Sequence, residues 1–222
     1  IGPVWRAERA QKGRYREFYQ CDVDILGSES TSCEIEVVTA ILAAFDAVGL
    51  AEKPAVSLND RELLLAILEK AGVAADQTMS VCIALDKIDK TSPEEVMAEL
   101  ERIVGGEKAK FLGRHVVSNA GEIESVEEFN PAAAGRIKDI LAAINGFRRE
   151  SAAFSPRLIR GFDYYTGPVF EFRSPKLSGS LGGGGRYDRL TEKFGGQKTP
   201  ACGGSIGFER LLMLLEEQGA GG

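Results

Sequence analysis

The sequence predicts an α+β fold, a β-rich unit split in two by a run of helices. Strand-type patterns occur in both arms of the chain, at 3–8, 14–26 and 54–58 and again from 160 to 172. Between them, residues 60–149 offer only helical periodicity with helix start and stop signals. The C-terminal arm carries two glycine tracts, SGSLGGGGRYD ending at Asp188 and ACGGSIGFER ending at Arg210. Glycines inside strands permit close backbone approach to a flat ligand, whereas the bland reading of such a run is a linker.

Composition narrows the function. The 222 residues can bury a sizeable core as one large domain or as a domain with an insertion, at 44% hydrophobic and 27% charged content. No apolar run approaches a membrane span, so no membrane partner is expected. The net charge of −6 does not advertise nucleic acid, although local basic clusters can still bind phosphates. Cys21, Cys33, Cys82 and Cys202 are dispersed without CxxC pairing and His115 is the single histidine, so no metal site is expected and the cysteines read as reduced, structural thiols. One histidine without a nucleophile motif nearby also weakens any Ser-His-Asp or Cys-His mechanism. The chain opens at Ile1 with no signal-peptide or transit pattern, as an excerpt of a longer protein would.

The first two strands, 3–8 and 14–26, enclose a polar loop at 9–13. Period-two alternation places Arg14, Arg16, Phe18, Gln20, Asp22 and Asp24 on one face, and Tyr15, Glu17, Tyr19, Cys21, Val23 and Ile25 on the other. The second face can pack on helices. The first is costly to bury unless it meets a ligand, so it reads as a polar binding floor. Arg6, Arg9, Lys12, Arg14 and Arg16 crowd the hairpin, as a solvated basic loop or as arginine forks for a polyphosphate.

Thr31 with Glu34 forms a candidate capping box for a helix carrying Ile35, Val38, Ile41, Leu42, Phe45 and Val48 at helical spacing, ended by Gly49. This helix is expected across the back of the sheet. After the strand at 54–58, Asn59 with Glu62 caps a helix over 61–70 that Gly72 stops. Further helices are expected at 77–85, at 93–104 behind the Ser92–Glu95 capping box, and at 131–147, with 86–90 as a connector.

The segment RGFDYYTGPVFEFR, 160–173, mixes aromatics with one arginine and one aspartate. As a strand it would turn Arg160, Phe162 and Tyr164 to one face and Asp163 and Tyr165 to the other, with 166–168 turning into a second strand over 169–172. An ordinary hairpin with tyrosines packed flat and Arg160 snorkelling outward accounts for the same pattern. A last helix is expected over 206–217, with Ile206, Leu211, Leu214 and Leu215 towards the core and Arg210 in its first turns. The glycine tracts fit neither a P-loop nor a dinucleotide fingerprint.

Together these pieces resemble the class II aminoacyl-tRNA synthetases, and within them the histidyl-tRNA synthetases. RAER at 6–9 through GRYREFYQ at 13–20 is similar to the second signature motif of the class, and GFER at 207–210 to the third. RGFDYY at 160–165 is similar to the histidine-specific motif, and GGRYD at 184–188 to a further family element. The resemblance implies an antiparallel six-stranded sheet flanked by helices. Residues 1–58 and 150–222 would form the catalytic core, with a helical insertion over 59–149 that in the family lies near the tRNA acceptor stem.

The implied reaction joins histidine and ATP into histidyl-adenylate and pyrophosphate, then passes the histidyl group to the terminal adenosine of histidine tRNA. Attack of a carboxylate on the α-phosphorus brings anions together, so fixed cations are the main catalytic need. By resemblance, Arg6 holds the α-phosphate and the carboxylate, Arg160 approaches from the other side, and Arg14 and Arg210 hold the γ-phosphate. Glu8 accepts from the adenine amine and Phe18 stacks beneath the ring. Gln20 and Asp24 contact histidine, in a pocket shaped by Tyr164, Tyr165 and Tyr187; many family members carry glutamate where Asp24 stands. Mg2+ would accompany the ATP phosphates. The first signature motif, which supplies the dimer interface, is expected before Ile1, and an anticodon-binding domain after the third motif. The intact protein would be a cytoplasmic homodimer.

Two other readings compete. A synthetase-like regulatory subunit of ATP phosphoribosyltransferase would sense histidine without chemistry, but has no need of Arg6, Arg14, Arg160 and Arg210. A tRNA-binding module with a vestigial adenylate site would show a dense basic stripe on its helices, which the insertion lacks.

Overall fold

Seven strands form one sheet in the computed structural model, which describes residues 1–7, 15–149, 151–177 and 179–219. The strands are β1 (Gly2–Trp5), β2 (Glu17–Leu26), β3 (Ala55–Asp60), β4 (Ala152–Phe154), β5 (Pro168–Arg173), β6 (Ser180–Arg186) and β7 (Ala201–Gly207). Their spatial order is β1-β2-β7-β6-β5-β3-β4. Every pairing is antiparallel except β3 with β4, so the sheet is mixed and has one strand more than the six antiparallel ones expected. The added strand is three residues long, too short to print a period in the sequence. It is held partly by a side chain: Asn145 donates to the Ala152 carbonyl and accepts from its N–H, both at 2.9 Å.

The helices are α1 (Ser32–Ala47), α2 (Arg61–Lys70), α3 (Thr78–Leu85), α4 (Pro93–Val104), α5 (Gly106–Leu112), α6 (Pro131–Phe147) and α7 (Phe208–Glu217). The starts and stops of α2, α4 and α6 coincide with the sequence signals, and the Ser92–Glu95 capping box is formed on both sides. Gly49 and Gly72 follow α1 and α2 at φ of +73° and +74°, a left-handed conformation that glycine adopts without steric cost. The sequence reading missed α5, which runs on into a π-helical turn, Gly113–Val117. In that region His115 lies against Phe111 and Phe129, with ring centroids 4.4 and 5.1 Å away, a packing role.

Two expected caps are corrected. Thr31 makes no side-chain cap, and Glu34 turns inward to a fully buried position where Arg186 meets it. Asp60 rather than Asn59 caps α2, accepting from the Glu62 N–H at 2.8 Å, because β3 runs two residues further than expected and carries Asn59 inside the sheet.

A continuous core joins α1 and the helices α2 to α6 to one face of the sheet. Phe45 of α1 meets Phe172 of β5 edge-on at 5.7 Å. Fully burying a side chain such as Phe45, Phe170 or Phe172 contributes about 1.5–3 kcal/mol. Val48, expected in this core, is 47% exposed because it lies past the end of α1.

The strand expected over 160–165 is not formed. Tyr164 and Tyr165 both donate their N–H groups to the Gly161 carbonyl, a turn that Gly161 permits at φ of +47°. The helix expected from Ile206 begins at Phe208 instead. Residues 201–207 are drawn into the sheet between β2 and β6, a placement that pairing rather than propensity decides.

Candidate active site

Registration across the sheet builds a floor from alternate residues. On β2 the face expected to be polar carries Phe18, Gln20, Asp22 and Asp24, while Cys21, Val23 and Ile25 turn to the core as predicted. Across the sheet, Asp22 stands opposite Ser205 of β7, Ser205 opposite Gly183 of β6, and Gly183 opposite Glu171 of β5. One row along, Asp24 faces Gly203, and Gly203 faces Gly185. The glycine run is therefore strand, not linker. The open side needs that bareness: a Cβ on Gly183 would lie 2.4 Å from the Arg160 guanidinium, and one on Gly203 would lie 1.8 Å from the Asp24 carboxylate.

Above this floor opens a cleft of about 160 Å³. Arg6, Phe18, Gln20, Arg160 and Arg210 all line it, so five residues singled out from distant parts of the sequence meet in one place. Arg160 enters from the turn and lies 3.2 Å from Glu171, with the Gly182 carbonyl at 3.4 Å and the Ser180 hydroxyl at 3.5 Å. Arg210, near the start of α7, donates to the Ser180 carbonyl. The Arg6 guanidinium stands 3.6 Å above the centroid of the Phe18 ring, a cation–π contact on the ring expected to stack with adenine. Gln20 donates to Asp22 at 2.7 Å. Glu8 and Arg14 lie outside the described residues.

Tyr15 lines the cleft, whereas the expected pocket tyrosines Tyr164, Tyr165 and Tyr187 do not. Tyr187 donates its hydroxyl to Asp24, and Tyr165 packs on Tyr164 with ring centroids 4.3 Å apart. A Cβ on Gly185 would touch the Tyr165 ring at 3.0 Å, which sets that ring on the same floor as Asp24. Burial pushes the Tyr187 phenol above the ordinary tyrosine range, and the Asp24 carboxylate adds to the shift. Burial, with Tyr164 adding to it, does the same to Tyr165. Both therefore stay neutral at neutral pH, and the Tyr187 hydroxyl already donates its hydrogen bond to Asp24.

Sequence reasoning missed several contributors. Glu171 neutralises Arg160 from β5 and also pairs with Arg173 at 3.2 Å. Its signal was a lone carboxylate in the apolar strand PVFEFR. Glu209, beside Arg210 in the cleft wall, accepts from the Tyr19 N–H at 2.6 Å and ties α7 to β2. Ser180 and Ser205 line the cleft, each concealed in a glycine tract. Among the described residues no group of three or more His, Cys, Asp or Glu side chains converges as a metal site. None of the helices is long and apolar enough to cross a membrane, among the same residues.

A family model described as histidyl-tRNA synthetase matches residues 1–211. The chain is 41% identical over 231 residues to a histidine–tRNA ligase of Leifsonia xyli, with 97% of this chain and 53% of that protein covered. It is 36% identical over 233 residues to a histidine–tRNA ligase of Gloeobacter violaceus, with 99% and 50% covered. The chain thus spans about half the length of the curated relatives it matches. Among solved structures, a histidyl-tRNA synthetase from Nostoc superposes with a TM-score of 0.84 at 23% identity, over 99% of this chain and 54% of that one. A Bacillus halodurans structure described as an ATP phosphoribosyltransferase regulatory subunit/histidyl-tRNA synthetase superposes with a TM-score of 0.80 at 22% identity, over 96% and 57%. At these identities the superpositions speak for the fold.

Proposed function

The chain belongs to the histidyl-tRNA synthetase family, and from that membership we propose that it is the catalytic portion of a histidine–tRNA ligase, activating histidine with ATP and passing it to histidine tRNA. The observation that carries this reading is the meeting of Arg6, Arg160 and Arg210 over a glycine floor, with Gln20 in the same cleft and Asp24 beside it.

The chemistry asks for such an arrangement. As the histidine carboxylate attacks the α-phosphorus, charge builds on the phosphate oxygens, and cations held in place beforehand stabilise it without reorganising. Arg6 and Arg160 would meet the α-phosphate from two sides, and Arg210 the γ-phosphate. Arg6 would then move from its present place on Phe18 to the phosphate as adenine stacks on the ring. Asp24, which accepts from the Tyr187 hydroxyl, would receive the histidine ammonium, with Gln20 beside it and Tyr164 and Tyr165 closing the pocket. Glu8 and Arg14 are assigned to the adenine amine and the γ-phosphate by their motif positions. Mg2+ would arrive with the ATP phosphates. Residues 59–149 would form the insertion that approaches the acceptor stem, and the full-length protein would be a cytoplasmic homodimer.

The deciding measurement is histidine-dependent exchange of labelled pyrophosphate into ATP by the full-length protein. Exchange that collapses in Arg160→Ala supports the ligase reading. Histidine binding without exchange would instead favour a histidine-sensing regulatory subunit.

A further inference from the structure

Arg160 is not fixed by its own side-chain contacts. They are long, at 3.2 to 3.5 Å, and its side chain is one-third exposed. Residues 155–167 contain no helix or strand. Yet the chemistry proposed for this arginine requires its position to be set to within a fraction of an ångström. Something outside the segment has to hold it.

We infer that Asn59 and Arg61, at the junction of β3 and α2, are positioning residues that clamp the 156–167 segment and so set Arg160 over the glycine floor. This rests on the synthetase reading for the consequence but not for the clamp itself. The Asn59 amide donates to the Pro156 carbonyl at 3.3 Å and to the Leu158 carbonyl at 3.1 Å, gripping the strand-to-turn entry just before Arg160. The Arg61 guanidinium lies 3.4 Å from the centroid of the Phe162 ring, gripping the middle of the turn. The Arg61 N–H donates to the Gly167 carbonyl at 2.9 Å, gripping the exit. Entry, middle and exit are all held by two residues of one tripeptide.

The tripeptide is itself anchored. Asp60, between the two, is fully buried; it caps α2 and pairs with Arg136 of α6 at 2.9 Å. Asn59 uses both ends of its amide, since its oxygen accepts the Asp60 N–H at 2.8 Å. Partial burial pulls the Arg61 guanidinium below its ordinary range while it stays over the ring. The placement of the catalytic arginine is thereby tied to the packing of the helices between the two arms of the sheet.

Variants of both residues test the clamp in the full-length protein, beginning with Arg61→Met, which keeps the apolar stem and loses the cation, and Arg61→Lys, which keeps a cation over the ring. Amide hydrogen exchange should quicken in Arg61→Met within 158–167 and stay unchanged in β3 and β5. In pyrophosphate exchange kcat should fall about tenfold to a hundredfold, the cost of a misplacement near 1 Å, with the KM for ATP little changed. Arg61→Lys should recover most of that loss, and Asn59→Asp, which cannot donate, should loosen the same segment. In an Arg160→Ala background, Arg61→Met should cost nothing more, because the two act through one group. Unaltered hydrogen exchange in Arg61→Met, or a full additive loss in the double variant, overturns the inference. A wild-type protein without exchange activity would sink the ligase reading alone, leaving hydrogen exchange to decide the clamp.

Discussion

Two arginine–carboxylate pairs sit on opposite faces of β6, and they are built to different ends. On the core face, Arg186 meets Glu34 of α1 through two bonds, Nε to Oε1 at 2.5 Å and Nη2 to Oε2 at 2.9 Å. Its remaining N–H groups reach the Ser28 and Ser30 carbonyls and Asp188 at 3.0 to 3.1 Å. Glu34 is fully buried and Arg186 nearly so. On the open face, Arg160 leans on Glu171 through one contact at 3.2 Å and stays one-third exposed. The closed pair has satisfied its bonding capacity within the protein and has nothing to offer a ligand. The open pair keeps a guanidinium neutralised enough to rest in the cleft and exposed enough to turn to an anion. Satisfaction of the fork, rather than arginine itself, separates the structural cation from the one proposed to meet the substrate.

That contrast makes graded predictions. The largest effect is expected from Arg186→Ala, which strands the Glu34 charge in the core and should cost about 3–5 kcal/mol in a urea denaturation series. Replacing both partners by apolar residues of similar volume should recover much of it. A loss within about 0.5 kcal/mol for Arg186→Ala, the range of an ordinary surface change, would mean that water reaches Glu34 and the pair is not closed.

Arg160→Ala should behave oppositely, losing about 3 kcal/mol of transition-state stabilisation, roughly a hundredfold in pyrophosphate exchange. Its melting temperature should move little, because Arg160 is one-third exposed and the buried Glu171 keeps Arg173 as a partner. A large drop in stability would erase the distinction between the pairs.

Gly203→Ala sharpens the picture on the floor itself. Its Cβ would fall 1.8 Å from the Asp24 oxygen and push the carboxylate off Tyr187. A hydrogen bond to a charged group is worth about 1.5–3 kcal/mol, so the KM for histidine should rise at least about tenfold with kcat less affected. An unchanged KM would separate Asp24 from histidine recognition.

The smallest effect is a pH dependence. The Tyr187 phenol is held above its ordinary range in the folded state, mainly by burial. Its contribution to stability is therefore full below the unfolded value, about 10, and is lost as pH rises past it. Tyr187→Phe should flatten the alkaline fall in stability while leaving its slope between pH 6 and 8, roughly the range where tyrosine does not titrate, unchanged. Identical alkaline limbs would count against the raised Tyr187 phenol.

The residues that the sequence analysis misread share one cause. Glu34 has the right spacing for a capping box, and Asn59 is a good cap three residues before a glutamate, yet both were claimed by partners more than ninety positions away. The turn at 160–165 has strand composition, and the last residues of β7 were expected to open the final helix; each was reassigned by what lay alongside. Local codes fail where a distant partner outbids them.

By itself the sequence determined the α+β class, the helices over 61–70, 93–104 and 131–147, the two faces of β2, and the order of the motifs that resemble the family. Those follow from periodicity, caps and motif order, which are short-range and survive without coordinates. Only the tertiary structure decided that the glycine tracts are central strands, that Glu34 closes on Arg186 while Glu171 leaves Arg160 open, and that Asn59 and Arg61 hold the turn between them. These depend on which strands lie side by side, and pairing is set by burial summed over the whole sheet, a quantity that no local window contains.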